Sequence, residues 1–242
     1  MREVRLSPHD AEIPGSSGSG PEAGGPFGPG FDDGLGGSGA GLELPPWERR
    51  ERFGFLNAFY LTVKDVLLAP GRFFRRMPSA LGVSQPLFFA IVIGAIATFV
   101  SWMWALTGSS LQALLGENLE EIVQGPLYSF ILFLFSPVLT TVLLFIQAGL
   151  THLILLLLGG GKLGFEATFR VCAYAEAASL LVLVPVCGQG IALVWNLVIV
   201  VIGLYHIHET EPWKAVVAVI APTLVCLGAL GGGLTLTLMA LN

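Results

Sequence analysis

The chain has 242 residues, of which 54% are hydrophobic and 12% are charged, and its mean hydropathy is +0.76. Soluble domains carry about 25% charged residues, so the composition argues against a single soluble core and indicates a membrane protein. The net charge of −5 is unevenly distributed, because nine of the twelve Lys and Arg precede residue 77. A basic segment beside apolar runs is typical of membrane orientation and anionic-lipid contact. We expect no nucleic-acid partner.

Residues 1–46 contain 12 Gly, 7 Pro and 5 Ser and few apolar side chains. Ordering each residue costs about 1–2 kcal/mol of chain entropy, and little apolar burial is available here to offset that cost. The composition therefore predicts a disordered cytosolic tail.

Residues 47–85 are predicted to form an amphipathic juxtamembrane helix region. Apolar side chains recur at spacings of three and four, which places them on one helical face, and Pro70-Gly71 ends the pattern. The members of this face are Phe53, Leu56, Tyr60, Val63 and Leu67. The segment is too polar to span a membrane. Two placements stay open, a helix lying in the membrane interface and a helix packed on the cytosolic ends of the spans.

Residues 86–242 are predicted to form a five-span membrane domain, so the fold class is an all-α, polytopic transmembrane bundle. Span one is 87–106, which is twenty residues long, contains no charge and follows Pro86. Its length matches the hydrocarbon core of a bilayer, and its tryptophans near the far end are typical of an aromatic belt.

Span two lies within 127–158, an apolar run of 32 positions. A straight helix of that length exceeds a hydrocarbon core of about 30 Å. We therefore expect Pro137 to break the helix, with span two at 138–158 and an interfacial or tilted extension at 127–136.

The second half of the domain is predicted to hold a helical hairpin and a final span. Residues 159–170 indicate a flexible polar loop, and 206–214 indicate a second polar loop. The three spans are 171–187, 191–205 and 215–239. The two hairpin runs are short, so a re-entrant hairpin stays open as an alternative.

Charge distribution predicts the orientation. With the N-terminus inside, the inner pieces are 1–86, 159–170 and 206–214, and they contain all twelve Lys and Arg. By the positive-inside rule the C-terminus is then outside. We expect a multi-pass protein of the bacterial cytoplasmic membrane, or of the Golgi or ER membrane if the chain is eukaryotic.

No recognised catalytic motif is present, and we expect neither an enzyme nor a cofactor. The three cysteines, at 172, 187 and 226, are far apart and lack ligand spacing, and His206 and His208 have a spacing that suits a metal poorly. We therefore predict no metal site.

Ionisable or amide side chains inside membrane segments are functional candidates by default. Glu176 is the foremost of these, and it could belong to a proton or substrate path, reach the cytosolic interface, or pair structurally with His152 or Gln147. Asn196 is predicted to join helices through its amide. The complete candidate cluster is Glu176, His152, Gln147, Arg170, Tyr174 and Asn196.

The chain resembles the Yip1 domain family in its bacterial form, over about residues 50–240. The resemblance rests on the juxtamembrane helix, the stretch from Phe165 to Arg170 leading into Tyr174, and the His-rich loop before Lys214. It implies five spans and a cytosolic N-terminus. Eukaryotic members act in vesicle trafficking and associate with small GTPases. The chain lacks the clear DLYGP-type segment of those members, and this leaves small-GTPase binding without support.

Two functions are carried forward. The first is a non-enzymatic membrane scaffold or organising factor that contacts lipids, itself or other membrane proteins through small-residue helix faces such as Ala90, Gly94 and Thr98. The second is a transporter or channel subunit that uses Glu176. A cavity lined by Glu176 would favour the second, and a solid bundle would favour the first.

Overall fold

The structure is a computed structural model that describes residues 42–114 and 119–224, and this part of the chain contains helices and no strand. Its α-helices are α1 (Arg50–Phe53), α2 (Phe55–Leu68), α3 (Pro70–Arg76), α4 (Ser84–Leu114), α5 (Leu119–Leu157), α6 (Gly164–Ala175), α7 (Gly188–His208) and α8 (Pro212–Leu224). Two 3-10 helices, Pro46–Arg49 and Glu176–Leu183, precede α1 and follow α6. The all-α prediction is confirmed for this part.

Three helical stretches are long and apolar enough to cross a membrane, namely Ser84–Gly108, Pro126–Leu157 and Gly188–His208. They match predicted spans one, two and four and support a multi-pass membrane protein. Predicted span three is not among them, because α6 and the following 3-10 helix divide it. Predicted span five is described only as far as Leu224, and the rest lies outside the described residues.

The predicted helix break at Pro137 is wrong. Helix α5 continues through both Pro126 and Pro137. A proline removes one backbone hydrogen bond, but membrane helices tolerate it where neighbouring groups compensate. Close packing also supports the continuous helix, because α4 approaches so closely at Gly94 that a Cβ atom there would collide with the Thr140 side chain.

The predicted polar loop 159–170 is wrong from Gly164 onwards. Helix α6 begins there, and it is buried without interruption from Ala167 to Ala175. The pattern of Glu166, Thr168 and Arg170 suggests a solvated loop in the sequence, but the bundle supplies partners for these side chains. The second predicted loop, 206–214, is likewise helical at its start, because α7 ends only at His208.

Helix α2 packs on the bundle through a narrow face formed by Ala58, Thr62 and Val66, all buried. Part of the predicted apolar face points away from the bundle instead, since Leu56 is 78% exposed and Tyr60 is 60% exposed. The helix is therefore packed on the spans and also presents apolar side chains outward. Pro70 begins α3, which confirms that α2 ends before it.

The last residues of the predicted tail are fixed to the juxtamembrane segment, while 1–41 lie outside the described residues. The backbone N–H of Glu43 donates to the Arg76 carbonyl at 2.7 Å. The Glu43 carboxylate lies 2.8 Å from Arg49 and 3.6 Å from Arg76. Contacts with the folded domain thus begin a few residues before Trp47, which is fully buried.

Candidate functional site

The six candidate residues do not form one cluster. Arg170 and Tyr174 meet at a charged contact with the juxtamembrane segment, and His152 belongs to a hydrogen-bonded chain that joins α5, α6 and α7. The other three, Glu176, Gln147 and Asn196, line a cavity between the helices.

The charged contact joins α6 to the 3-10 helix that precedes α1. Nη2 of Arg170 lies 2.5 Å from Oε1 of Glu48, and the Tyr174 hydroxyl donates to the same oxygen at 2.5 Å. The Arg170 side chain is fully buried and that of Glu48 is 6% exposed. Nη1 of Arg170 also donates to the Gly82 carbonyl at 3.0 Å. One buried guanidinium therefore fixes the juxtamembrane segment at two points.

Aromatic packing surrounds this contact. Trp47 directly precedes Glu48, and its ring lies among four phenylalanine rings at centroid distances of 5.3–6.2 Å. These rings belong to Phe55, Phe59, Phe88 and Phe89. The first two lie on α2 and the other two on α4, so the Trp47 ring packs between these helices.

Trp47 is also held by two hydrogen bonds. Its indole N–H donates to the Gln85 carbonyl at 2.9 Å, and its backbone N–H donates to the Thr62 hydroxyl at 2.9 Å. The first bond reaches the start of α4, and the second reaches the buried face of α2. The juxtamembrane segment is thus both packed on and hydrogen-bonded to the bundle.

The second group is a chain of three buried side chains, His152, Thr168 and His208. The Thr168 hydroxyl lies 2.9 Å from Nδ1 of His152 and 2.9 Å from Nε2 of His208. The backbone N–H of Leu163 donates to Nδ1 of His208 at 3.3 Å. The chain therefore joins α5, α6 and α7 and also holds the loop before α6.

The Leu163 contact allows the proton positions in this chain to be assigned. Because Nδ1 of His208 accepts a hydrogen bond, the neutral ring carries its proton on Nε2 and donates it to Thr168. The Thr168 hydroxyl then donates to Nδ1 of His152. This arrangement satisfies each group with both imidazoles neutral, and it assigns a structural role to His208, for which the sequence indicated only a polar loop.

The third group lines a cavity of about 710 Å³ bounded by α4, α5, α7, α8 and the 3-10 helix that follows α6. The Glu176 carboxylate accepts a hydrogen bond from Ser179 at 3.1 Å. Asn196 donates through Nδ2 to the Ala175 carbonyl at 3.1 Å, and this hydrogen bond joins α7 to the end of α6. Within the described residues, no hydrogen bond joins Glu176 to His152 or Gln147, so that alternative among the three considered for Glu176 is not seen.

Sequence reasoning missed Glu48, Thr168 and Ser136. Glu48 lies in a run of cations and is 122 residues from Arg170, so spacing alone could not connect them. Ser136 has a buried hydroxyl without a hydrogen-bond partner among the described residues, and it lines the cavity. A useful signal would have been Arg170 itself, because a cation inside an apolar bundle requires a buried anion.

No group of three His, Cys, Asp or Glu side chains able to hold a metal ion occurs within the described ranges. Of the cysteines described, Cys172 is buried and Cys187 is exposed, and both are free thiols.

Comparison with protein families gives a match to the model of the Yip1 domain, over residues 64–233. The match covers more than half of the chain and confirms the resemblance. It begins at residue 64, whereas the resemblance begins at about residue 50, and Trp47 and Glu48 precede both. Searches of curated proteins and of solved structures gave no match.

Proposed function

This chain belongs to the Yip1 domain family. We propose that it is a non-enzymatic membrane-organising protein that acts through lipid and protein contacts at its charged end, meaning the juxtamembrane segment and the adjoining predicted inner loops. The observation that carries the proposal is the docked juxtamembrane segment, residues 46–83, which contains the first 3-10 helix and α1 to α3. It combines outward apolar side chains with exposed cations on a support that the bundle holds in place.

The apolar part of this surface consists of Phe55, Leu56, Tyr60 and Leu68, which are 47–78% exposed. Lys64, Arg72 and Arg75 are exposed on the same segment. Apolar side chains beside cations suit the boundary between head groups and acyl chains. Each cation near an anionic surface adds about 1 kcal/mol of attraction.

We place this end of the bundle on the cytosolic side, with the N-terminus inside and the C-terminus outside, and we retain five spans as a proposal. Two structural contacts support the prediction that the juxtamembrane segment and the two predicted inner loops lie on the same side of the membrane. Nζ of Lys162 lies 3.3 Å from the Glu209 carbonyl, which joins two of the predicted inner loops. Arg170 is linked to the juxtamembrane segment through Glu48. The bacterial cytoplasmic membrane, or a Golgi or ER membrane, provides the anionic cytosolic leaflet.

The test is anionic-lipid enrichment around the reconstituted protein. The protein is placed in phosphatidylcholine vesicles with a minor fraction of phosphatidylglycerol. Energy transfer from its tryptophans to labelled phosphatidylglycerol is compared with transfer to labelled phosphatidylcholine. We expect more transfer to phosphatidylglycerol, and we expect the difference to fall in the triple variant Lys64→Gln, Arg72→Gln, Arg75→Gln.

The matched control neutralises two exposed acids, Glu51→Gln and Glu209→Gln, and should not lower the enrichment. Equal transfer to the two lipids in the wild type would contradict the proposal. So would an unchanged preference in the triple variant.

A second candidate function, a transporter or channel subunit, is favoured by the cavity beside Glu176. A protein that acts only as a scaffold is expected to be a solid bundle, whereas this bundle contains a cavity. The test is proton flux into vesicles that contain a pH-sensitive dye. Flux in the wild type that is absent from Glu176→Gln would support transport, and no flux in either would reject proton-coupled transport.

A further inference from the structure

We propose that the cavity beside Glu176 binds an organic monocation with an ammonium head group and an apolar body. This inference deepens the second candidate function, because it names the ligand class of the same cavity. It concerns equilibrium binding, so it can hold or fail independently of flux.

The size of the cavity suits a small organic molecule. Its volume of about 710 Å³ lies within the range of about 300–1,000 Å³ that is usual for ligand pockets. About half of the lining residues are aliphatic, among them Leu139, Leu143 and Leu193. An apolar ligand body could therefore pack against the aliphatic part of the lining.

The charge of the lining favours a cation. Glu176 is the acidic side chain in the lining, and no Lys, Arg or His belongs to the lining in the described part of the chain. The hydrogen bond from Ser179 occupies one carboxylate oxygen. The other oxygen has no hydrogen-bond partner within the described ranges, so an ammonium group could provide both the missing donor and the missing charge.

Two hydroxyl groups of the lining, those of Thr98 and Ser101, also favour a ligand that donates hydrogen bonds. Thr98 donates to the Gly94 carbonyl at 2.7 Å, and Ser101 donates to the Ala97 carbonyl at 3.0 Å. Because each hydrogen is already used within its own helix, these oxygens offer only lone pairs to a ligand. The side-chain oxygen of Asn196 adds a further acceptor, and one N–H of its amide nitrogen donates to the Ala175 carbonyl.

The ligand chemistry follows from these groups together. An ammonium group brings several donors and one positive charge, which match a carboxylate and a set of acceptor oxygens. A cation supplies the countercharge that stabilises the ionised form of Glu176, whereas a neutral ligand supplies none and an anion would disfavour that form.

The experiment measures binding of dansylcadaverine, a primary amine with an environment-sensitive aromatic body, to the full chain in phosphatidylcholine nanodiscs. Empty nanodiscs give the background. The N-acetyl derivative has the same body without the charge. We expect the amine to bind the wild type about tenfold to a hundredfold more tightly than the N-acetyl derivative, as the loss of one charge-assisted hydrogen bond produces.

Glu176→Gln should weaken amine binding by a similar factor and should not change binding of the N-acetyl derivative. Glu51→Gln, which changes an exposed acid outside the cavity, should leave both affinities unchanged. Ala97→Phe fills part of the cavity and keeps Glu176, so it should weaken both ligands, and it decides the matter if Glu176→Gln does not fold.

Absence of specific amine binding to the wild type would overturn the proposal. Equal binding of the amine and its N-acetyl derivative would also overturn it, as would full affinity in Ala97→Phe. Specific binding without any proton flux would support the proposal and reject proton-coupled transport, so failure of the binding proposal and failure of the transport function can be told apart.

Discussion

Glu48 and Arg170 are 122 residues apart in the chain, yet Oε1 of Glu48 lies 2.5 Å from Nη2 of Arg170 at a site that is almost closed to solvent. Their contact fixes the juxtamembrane segment to α6. The proposed lipid-contacting surface depends on this support.

Removing one partner of a buried ion pair leaves an unpaired charge and costs about 3–5 kcal/mol. We therefore expect Glu48→Gln to lower the midpoint of thermal unfolding in detergent by several degrees. Glu51→Gln, on an exposed position of the next helix, serves as the control and should unfold like the wild type. The double variant Glu48→Gln, Arg170→Met should lose less stability than the sum of the single changes. Strict additivity would show that the two side chains are not coupled.

A substitution at Thr168 tests the hydrogen-bonded chain between His152 and His208. Thr168→Val keeps the shape of the side chain but removes the hydroxyl, which leaves one imidazole acceptor and one imidazole donor without a partner. Each unsatisfied buried group costs about 1–3 kcal/mol. Detergent unfolding should therefore show a clear loss of stability. Thr141→Val removes a hydroxyl that donates to the Pro137 carbonyl in its own helix, and it should have little effect. Equal stability of the two variants would refute the role assigned to Thr168.

The long apolar runs made the three spans in α4, α5 and α7 predictable, because length and lack of charge are sufficient signals. Helix α6 was not predictable in the same way. Its Glu166, Thr168 and Arg170 indicate a solvated loop when they are considered alone. Their partners Gly82, His152 and Glu48 come from distant segments, so only the tertiary structure shows that these polar groups are satisfied.

The sequence indicated six candidate residues but predicted neither how they are grouped nor their contacts with Glu48 and Thr168. Residues close in sequence, such as Tyr174 and Glu176, belong to different sites, because successive positions on a helix point in different directions. The 3-10 geometry that begins at Glu176 also changes the direction of the following side chains.

Helix α7 approaches α3 and α6 so closely at Gly203 that the addition of one methyl group there should lower stability. A Cβ atom at Gly203 would lie 2.5 Å from a Val171 methyl and 3.1 Å from the Phe74 ring. Gly203→Ala should therefore destabilise the fold by about 1–3 kcal/mol through overpacking. Gly149→Ala on α5 is the matched control, because nothing among the described residues lies within 4 Å of its Cβ position. It should be neutral or gain about 0.5–1 kcal/mol, since alanine favours the helix. An equally stable Gly203→Ala protein would contradict the packing.

The contacts of Glu43 and Trp47 predict where an N-terminal truncation becomes harmful. Deletion of 1–41 removes the Gly-, Pro- and Ser-rich part and should leave membrane yield and the unfolding midpoint unchanged. Trp47→Ala should lower stability by about 3–5 kcal/mol, because it empties a fully buried aromatic site. A large loss of stability from the deletion, or no loss from Trp47→Ala, would contradict the conclusion that the stabilising contacts begin between Glu43 and Trp47.

The proposed function depends above all on which side of the membrane the juxtamembrane segment occupies. The most direct measurement labels single cysteines in intact cells with a membrane-impermeant maleimide. Cys187 is exposed and serves as a native probe once Cys172 and Cys226 are replaced by alanine. Glu51→Cys and Glu209→Cys, each in a cysteine-free background, report on the charged end. We predict that Cys187 is labelled from outside, whereas the other two are labelled only after permeabilisation. Labelling of Glu51→Cys in intact cells would contradict the orientation, and protection of Cys187 would contradict a hairpin that crosses the membrane.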